Sequence, residues 1–132
     1  MTNKELSQLY YLNREIKGLE ELIEEMESRA ECITPTLTGM PHGTGISDKI
    51  GSAAVQIATL RSRLTTLHQR ASVEQVKIMD YIMLIDDSII RQIALWRFAY
   101  CLTWEDVAEH VNPSMTGEVA RVTWYRWLRD NG

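Results

Sequence analysis

The stretch that decides the fold is DSIIRQIALWRFAYCLTWEDVAEHVNPSMTGEVARVTWYRWLRDNG, residues 87–132. It starts with a predicted apolar helix, which ends at the break Tyr100-Cys101-Leu102. Thr103 precedes the helical segment WEDVAEHV and is a good N-cap, because its hydroxyl can accept a backbone N–H that the helix leaves unpaired. After the breaking sequence Asn112-Pro113-Ser114, Thr116 caps a last helix rich in Trp and Arg. Two short helices joined by a tight turn predict a helix-turn-helix.

The outer face of the last helix is the candidate DNA-binding surface. On a helical wheel the inner side carries Ala120, Trp124, Trp127 and Leu128. The candidate DNA-binding residues lie opposite or beside that side; they are Thr116, Glu118, Arg121, Val122, Tyr125, Arg126 and Arg129.

In a major groove, Arg121 suits two hydrogen bonds to guanine, and Glu118 suits a cytosine amino group. Tyr125, Arg126 and Arg129 suit phosphates. The alternative is that these charges form an ordinary solvated helix face. All four tryptophans lie at or after residue 96, where they are expected to fill a small core. Trp104 is the one with a second interpretation, a partly exposed ring that contacts a phosphate or a partner protein.

Apolar residues at a strict three–four spacing predict a long helix over about residues 3–32. They are Leu9, Leu12, Ile16, Leu19, Ile23, Met26, Ala30 and Ile33, and glutamates occupy other faces. The same three–four spacing continues from Ile50 to Ala71, after the predicted N-cap Ser47. After Ala71 the pattern is predicted to shift by one residue and to pass through Gln75. Because such a narrow stripe needs a partner helix, the two segments predict an antiparallel hairpin, closed within the chain or between chains.

These patterns predict an all-α chain with two parts. Residues 1–86 form a long, coiled-coil-like antiparallel helical hairpin, and residues 87–132 form a three-helix helix-turn-helix unit. Residues 34–47, TPTLTGMPHGTGIS, are predicted to be an irregular loop because they contain two prolines and three glycines. Glycines before a helix can also bind anions near His42, but neither a preceding strand nor a Gly-Lys-Ser/Thr sequence supports a phosphate loop.

Composition argues against several classes of function. The net charge of −4 argues against binding nucleic acid by overall charge. No run of about 18 apolar residues and no signal peptide occurs, so a cytoplasmic protein without membrane contact is predicted. Cys32, Cys101 and three scattered histidines lack the spacing of metal ligands, so neither a metal site nor a cofactor is expected. No arrangement typical of catalysis is visible, so the chain is not expected to be an enzyme.

The segments RQIALWRFAY, LTWEDVAEHV and the ending W-Y-R-W-L resemble region 4 of bacterial sigma factors. The whole chain is similar to small phage and prophage transcriptional regulators of the ArpU/RinA-like group. Those share a YL-x-x-EI helix, here Tyr11-Leu12 and Glu15-Ile16, and a P-x-G-x-G-x-SDK turn, here Pro41, Gly43, Gly45 and Ser47-Asp48-Lys49. The resemblance implies a bacterial DNA-binding regulator of phage late genes that acts like, or beside, a sigma factor.

Three hypotheses follow. The first is a regulator that reads double-stranded promoter DNA, with the hairpin as an arm for a homodimer or for RNA polymerase. The second is a phage DNA-packaging factor similar to a small terminase subunit, which would assemble into rings. The third is a helical adaptor that binds RNA polymerase without touching DNA, which the acidic first helix favours. Solution mass and binding to free duplex distinguish them.

Overall fold

The computed structural model describes residues 1–37 and 44–131, and the side chains of 1–31 and 51–131. Within those ranges every regular element is helical. The elements are α1 (Asn3–Leu6), α2 (Gln8–Leu37), α3 (Thr44–Met83), α4 (Ser88–Ala94), a π-helical turn (Leu95–Ala99), α5 (Trp104–Val111) and α6 (Gly117–Asn131). The prediction of an all-α chain, a long antiparallel hairpin followed by a three-helix unit, is confirmed. None of the described helices is both long and apolar enough to cross a membrane.

The chain forms two compact units. One joins Met1–Leu12 to the chain from Arg70 onward, and the other, which we call the hairpin unit, is Asn13–Gln69. We call α4 to α6, residues 88–131, the C-terminal helices; they belong to the first unit. The predicted functional boundary after residue 86 stays a prediction.

The start of the chain differs from the prediction of one helix over residues 3–32. A short α1 comes first, closed by a reciprocal cap in which Glu5 N–H donates to Thr2 Oγ1 at 3.2 Å and Thr2 N–H donates to Glu5 Oε2 at 2.8 Å. Ser7 then separates α1 from α2, and its hydroxyl donates to the Asn3 carbonyl at 2.8 Å. These local bonds satisfy the helix ends, which apolar periodicity alone does not reveal.

The predicted loop over residues 34–47 is too long at both ends. Helix α2 continues to Leu37 and α3 already begins at Thr44, so Ser47 lies inside α3 and is not its cap. A glycine inside a helix costs only about 1 kcal/mol relative to alanine, which a long helix tolerates. Residues 38–43, and with them the anion-binding interpretation of His42, lie outside the described residues.

Burial follows most of the predicted seam. In the hairpin unit Ile16 and Ile23 are buried, and the half-buried seam residues are Leu19, Met26, Ala30, Ala53, Ile57, Leu60, Leu64 and Leu67. In the other unit the buried seam residues are Leu9, Ala71, Ile78, Ile82 and Ile85, and Leu6, which precedes the predicted seam, is buried as well. The predicted slip does not pass through Gln75, because the half-buried residue is Glu74, three residues after Ala71 and four before Ile78. The extra residue comes later, where Ile78 and the buried Ile82 repeat a spacing of four, and the exposed Gln75 donates to the Ala99 carbonyl at 3.5 Å.

Helix α4 passes into one π-helical turn, which the apolar pattern did not predict. Asp87 caps α4 by accepting the N–H groups of Ile89 and Ile90 at 2.9 and 3.3 Å. In an unbroken α-helix Arg97, seven residues after Ile90, would face the core. The π turn holds one extra residue, so that Phe98 is buried there and Arg97 is half-buried.

Candidate nucleic-acid interface

The break between the first two C-terminal helices lies where the sequence predicts it. Cys101 has a φ of 58°, a left-handed conformation that costs a residue with a side chain roughly 1–2 kcal/mol. The backbone groups of Leu102, which follows this turn, are both hydrogen-bonded. Leu102 N–H donates to the Trp96 carbonyl at 3.1 Å, and Arg97 Nη1 donates to the Leu102 carbonyl at 2.8 Å. Thr103 then caps α5 as predicted and accepts Asp106 N–H at 3.3 Å.

Helices α5 and α6 approach each other closely at Gly117. A Cβ at this position would lie 2.9 Å from the backbone nitrogen of Glu105 and 3.0 Å from its Oε1, so only glycine fits without a shift of the backbone. Thr116 caps α6 by accepting Val119 N–H at 3.3 Å, which confirms its predicted capping role. In the turn before it, Ser114 donates through its N–H and its hydroxyl to Asn112 Oδ1, at 3.0 and 2.8 Å.

Trp124 is the centre of the core that orients α6. Its side chain is fully buried, and its ring centroid lies 5.1 Å from that of Phe98 and 5.3 Å from that of Trp127. The predicted inner face is confirmed, since Ala120 is also buried and Trp127 and Leu128 are half-buried. With this side of α6 fixed against its neighbours, the opposite side faces solvent.

All seven candidate DNA-binding residues lie on or beside the solvent-facing side of α6. Arg121 and Val122 are half-buried, and the exposed members are Thr116, Glu118, Tyr125, Arg126 and Arg129. Arg129 Nε donates to Asp130 Oδ1 at 3.3 Å. Arg126 makes no ion pair within the described part of the chain. The face therefore offers an unengaged guanidinium beside others that already have an acidic neighbour.

Glu118 and Arg121 bind each other. Arg121 Nη2 lies 2.5 Å from Glu118 Oε1, and Arg121 Nε lies 3.2 Å from Glu118 Oε2. The hydrogen bond from Arg121 lowers the pKa of Glu118, and the same bond raises the pKa of Arg121. The contribution of this pair is thus kept at neutral pH and is lost only as the pH falls through the lowered pKa of Glu118. A base contact through the Nε edge of Arg121 requires this exposed pair to open.

Two further residues join this surface, and the candidate list lacked them. The Arg97 guanidinium carbon lies 4.6 Å from the centroid of the Trp104 ring, and that ring lies 6.2 Å from the Tyr125 ring. Arg121 in turn lies 5.9 Å from the Tyr125 ring. These four side chains form a row that runs from the π turn past the start of α5 to α6. Arg97 was missed because its spacing places it on the core side of a regular helix.

Within the described residues, no three His, Cys, Asp or Glu side chains come together as metal ligands would. Cys101 keeps a thiol, whose sulfur lies 3.7 Å from the Phe98 carbonyl. The absence of a metal site, a cofactor and catalysis stays a prediction.

Comparison of the chain with protein-family models, with curated proteins and with solved structures finds no significant match. The resemblance to phage regulators and to sigma region 4 therefore rests on the quoted motifs alone.

Proposed function

We propose that the chain is a DNA-binding transcription regulator that places α6 in the major groove. The observation that supports this best is the orientation of α6. Ala120 and Trp124 are buried on one side, while Arg121, Arg126 and Arg129 line the other. A major groove is about 12 Å wide and admits one α-helix, and guanidinium groups are its commonest specific readers.

The residues of the face take different roles in this proposal. Arg126 and Arg129 contact phosphates, and Thr116 contacts a phosphate at the start of α6, where helix N–H groups favour negative charge. Arg121 binds guanine after it leaves Glu118, which then accepts from a cytosine amino group. Val122 packs against a thymine methyl group, and Tyr125 supports the phosphate contacts.

The test is fluorescence anisotropy of a labelled random-sequence duplex at three salt concentrations. The affinity is expected to fall steeply with salt, and Arg126→Ala and Arg129→Ala each reduce the slope of log K against log salt by about 0.9. Arg61→Ala is the matched control, because Arg61 is an exposed arginine of the hairpin unit. No binding at low salt, or unchanged slopes in both α6 variants, contradicts the proposal.

Glu118→Gln tests the role of the Glu118–Arg121 pair. The substitution removes a negative charge and releases Arg121, so binding to random duplex is expected to tighten and the salt slope to steepen by up to about 0.9. Asp130→Asn, which removes an equally exposed charge beside Arg129, should steepen the slope less, since Asp130 lies at the end of α6. If Glu118→Gln binds the duplex with unchanged affinity, Arg121 does not contact DNA.

A second candidate is a protein-binding adaptor of RNA polymerase. It is favoured by the charge on the α6 face, where Glu118 and Asp130 offset two of the three arginines. Capture of RNA polymerase by the chain in nuclease-treated samples supports this candidate, whereas tight binding to free duplex favours the regulator. For either candidate we also propose that the chain is phage- or prophage-encoded, belongs to the ArpU/RinA-like group and acts in the bacterial cytoplasm.

A further inference from the structure

The two flanks of the hairpin unit differ in chemistry. On one flank an ion pair between Arg61 and Glu27 joins α2 to α3, and His68 Nε2 lies 3.4 Å from Glu20 Oε1. Polar side chains from both helices thus cover the apolar seam on that side. On the opposite flank no ion pair joins α2 to α3 within the described residues.

We call this side the open flank. Its α2 residues recur at spacings of four, three, four and three, which places them in one stripe: Glu15, Leu19, Leu22, Met26 and Arg29. Leu22 is 44% exposed, and beside Met26 lies a cleft of about 360 Å³ that is also lined by Val55, Gln56, Thr59, Leu60 and Arg63. The Thr59 hydroxyl already donates to the Val55 carbonyl at 2.9 Å, so the polar side chains left in the cleft are those of Gln56 and Arg63.

We propose that the open flank binds the open flank of a second copy of this chain. The order of residues in the stripe is self-complementary when two copies run antiparallel. With Leu22 of each copy at the two-fold axis, Glu15 of one copy lies level with Arg29 of the other, and Leu19 lies level with Met26 to within one residue. Acid meets base at both ends and apolar residues meet in between. This is what a two-fold interface requires, because the same surface serves both partners.

The charges at the ends of the stripe are available for such pairing. Glu15 has no ion pair within the described part of the chain, and it is exposed. Arg29 is also exposed, and its Nη2 lies 2.5 Å from Oε1 of Glu25 in the same helix. An exposed pair of this kind is weak and leaves the other donors of the guanidinium for a second carboxylate.

The size of the flank sets the expected strength. A stripe of 15 residues is about 21 Å long, and two neighbouring helices are each about 10 Å wide, so the flank covers roughly 400 Å² in projection. A standard stable interface buries about 800 Å² per partner. The dimer is therefore expected to dissociate in the micromolar range. This inference does not rest on the proposed DNA binding.

Sedimentation velocity of the full chain, from low micromolar to several hundred micromolar, tests the dimer. A monomer–dimer equilibrium is expected, and Leu22→Glu should weaken it at least tenfold because two carboxylates then meet at the axis. Ala54→Glu is the matched control, since Ala54 is exposed and lies seven residues before Arg61, on the ion-paired flank. Circular dichroism of each variant checks that the helices persist.

Mixing two charge variants identifies the interface. Glu15→Arg alone and Arg29→Glu alone should each stay monomeric, because both ends of the stripe then bring like charges together. An equimolar mixture should dimerise, since the two bases of the first variant then face the two acids of the second at both ends. A monomer at all concentrations, a ring of eight or more subunits, or a dimer that Leu22→Glu leaves intact each overturns the inference.

Discussion

The C-terminal helices and the hairpin unit are both helical, yet they are held together in different ways. In the C-terminal helices a fully buried Trp124 packs among rings 5.1 and 5.3 Å away, and Gly117 leaves no room for a methyl group. In the hairpin unit most seam residues are half-buried, and no described atom beyond the neighbouring helical turn lies within 4 Å of a Cβ placed at Gly18 or Gly51. One region depends on a few close contacts, and the other distributes its stability along a seam.

This difference teaches where a substitution matters. Close-packed interiors lose stability with each removed or added methylene, whereas a half-covered seam can adjust. It also explains why the α6 face keeps one orientation, which the proposed contact with DNA requires.

Trp124→Ala should show the largest effect. Removal of this ring is expected to lower the free energy of unfolding of the C-terminal helices by about 3–5 kcal/mol, whereas Ile23→Ala in the hairpin unit should cost about 2 kcal/mol. Urea denaturation separates the two, because tryptophan fluorescence reports only on the C-terminal helices and circular dichroism reports on the whole chain. Trp124→Phe is the control; it keeps a ring and removes an indole N–H that has no hydrogen-bond partner among the described residues. Equal losses for Trp124→Ala and Ile23→Ala would contradict the comparison.

Two glycine substitutions should act in opposite directions. Gly117→Ala places a methyl group against the Glu105 backbone and should lower the free energy of unfolding by about 1–3 kcal/mol. Gly18→Ala adds the same methyl group in open space inside α2 and should raise it by about 0.5–1 kcal/mol. Thermal denaturation of both variants measures the difference. A destabilised Gly18→Ala variant would mean that the hairpin unit is packed as tightly as the C-terminal helices.

Cys101→Gly tests backbone strain at the turn between the π-helical turn and α5. The left-handed backbone at this residue suits glycine. The free energy of unfolding of the variant should therefore rise by about 0.5–1 kcal/mol, a value that allows for the lost side-chain contacts. Cys101→Val should lose stability instead, because a β-branched side chain is least compatible with this conformation. Chemical denaturation of the pair tests this, and a gain for Cys101→Val would exclude backbone strain as the cause.

Arg61→Met should have the smallest effect. The Arg61–Glu27 pair is partly exposed, with 63% and 37% of the two side chains accessible, and such pairs contribute less than about 1 kcal/mol. Added salt should shift the melting temperature of the parent chain slightly and that of the variant less. A loss as large as that of Ile23→Ala would show that ion pairs, and not the apolar seam, hold the hairpin unit together.

The sequence predicts most of the helical elements because their signals are local. The caps Thr103 and Thr116 and the inner face with Trp124 follow from side-chain chemistry within a few residues. Two of the misses have non-local causes. The path of the seam through Glu74 in place of Gln75 depends on packing, and the close approach at Gly117 depends on a residue of another helix. Of the candidate site, the solvent-facing side of α6 could be predicted from helical periodicity, whereas the Arg97–Trp104 stack and the Glu118–Arg121 pair needed coordinates.

The π turn at Leu95–Ala99 has a consequence for chain length. It contains one residue more than a turn of α-helix would contain in the same place. Deletion of Leu95 would therefore leave an ordinary α-helix in which Phe98 and Ala99 still face the core. A deletion between Ile90 and the π turn, at one of the residues Arg91–Ala94, would instead rotate every later side chain by about 100° relative to Ile90 if the π turn stays in place. Homologous chains that differ by one residue in this region should therefore place the gap in the π turn, which makes it the point where the helix tolerates a change of length.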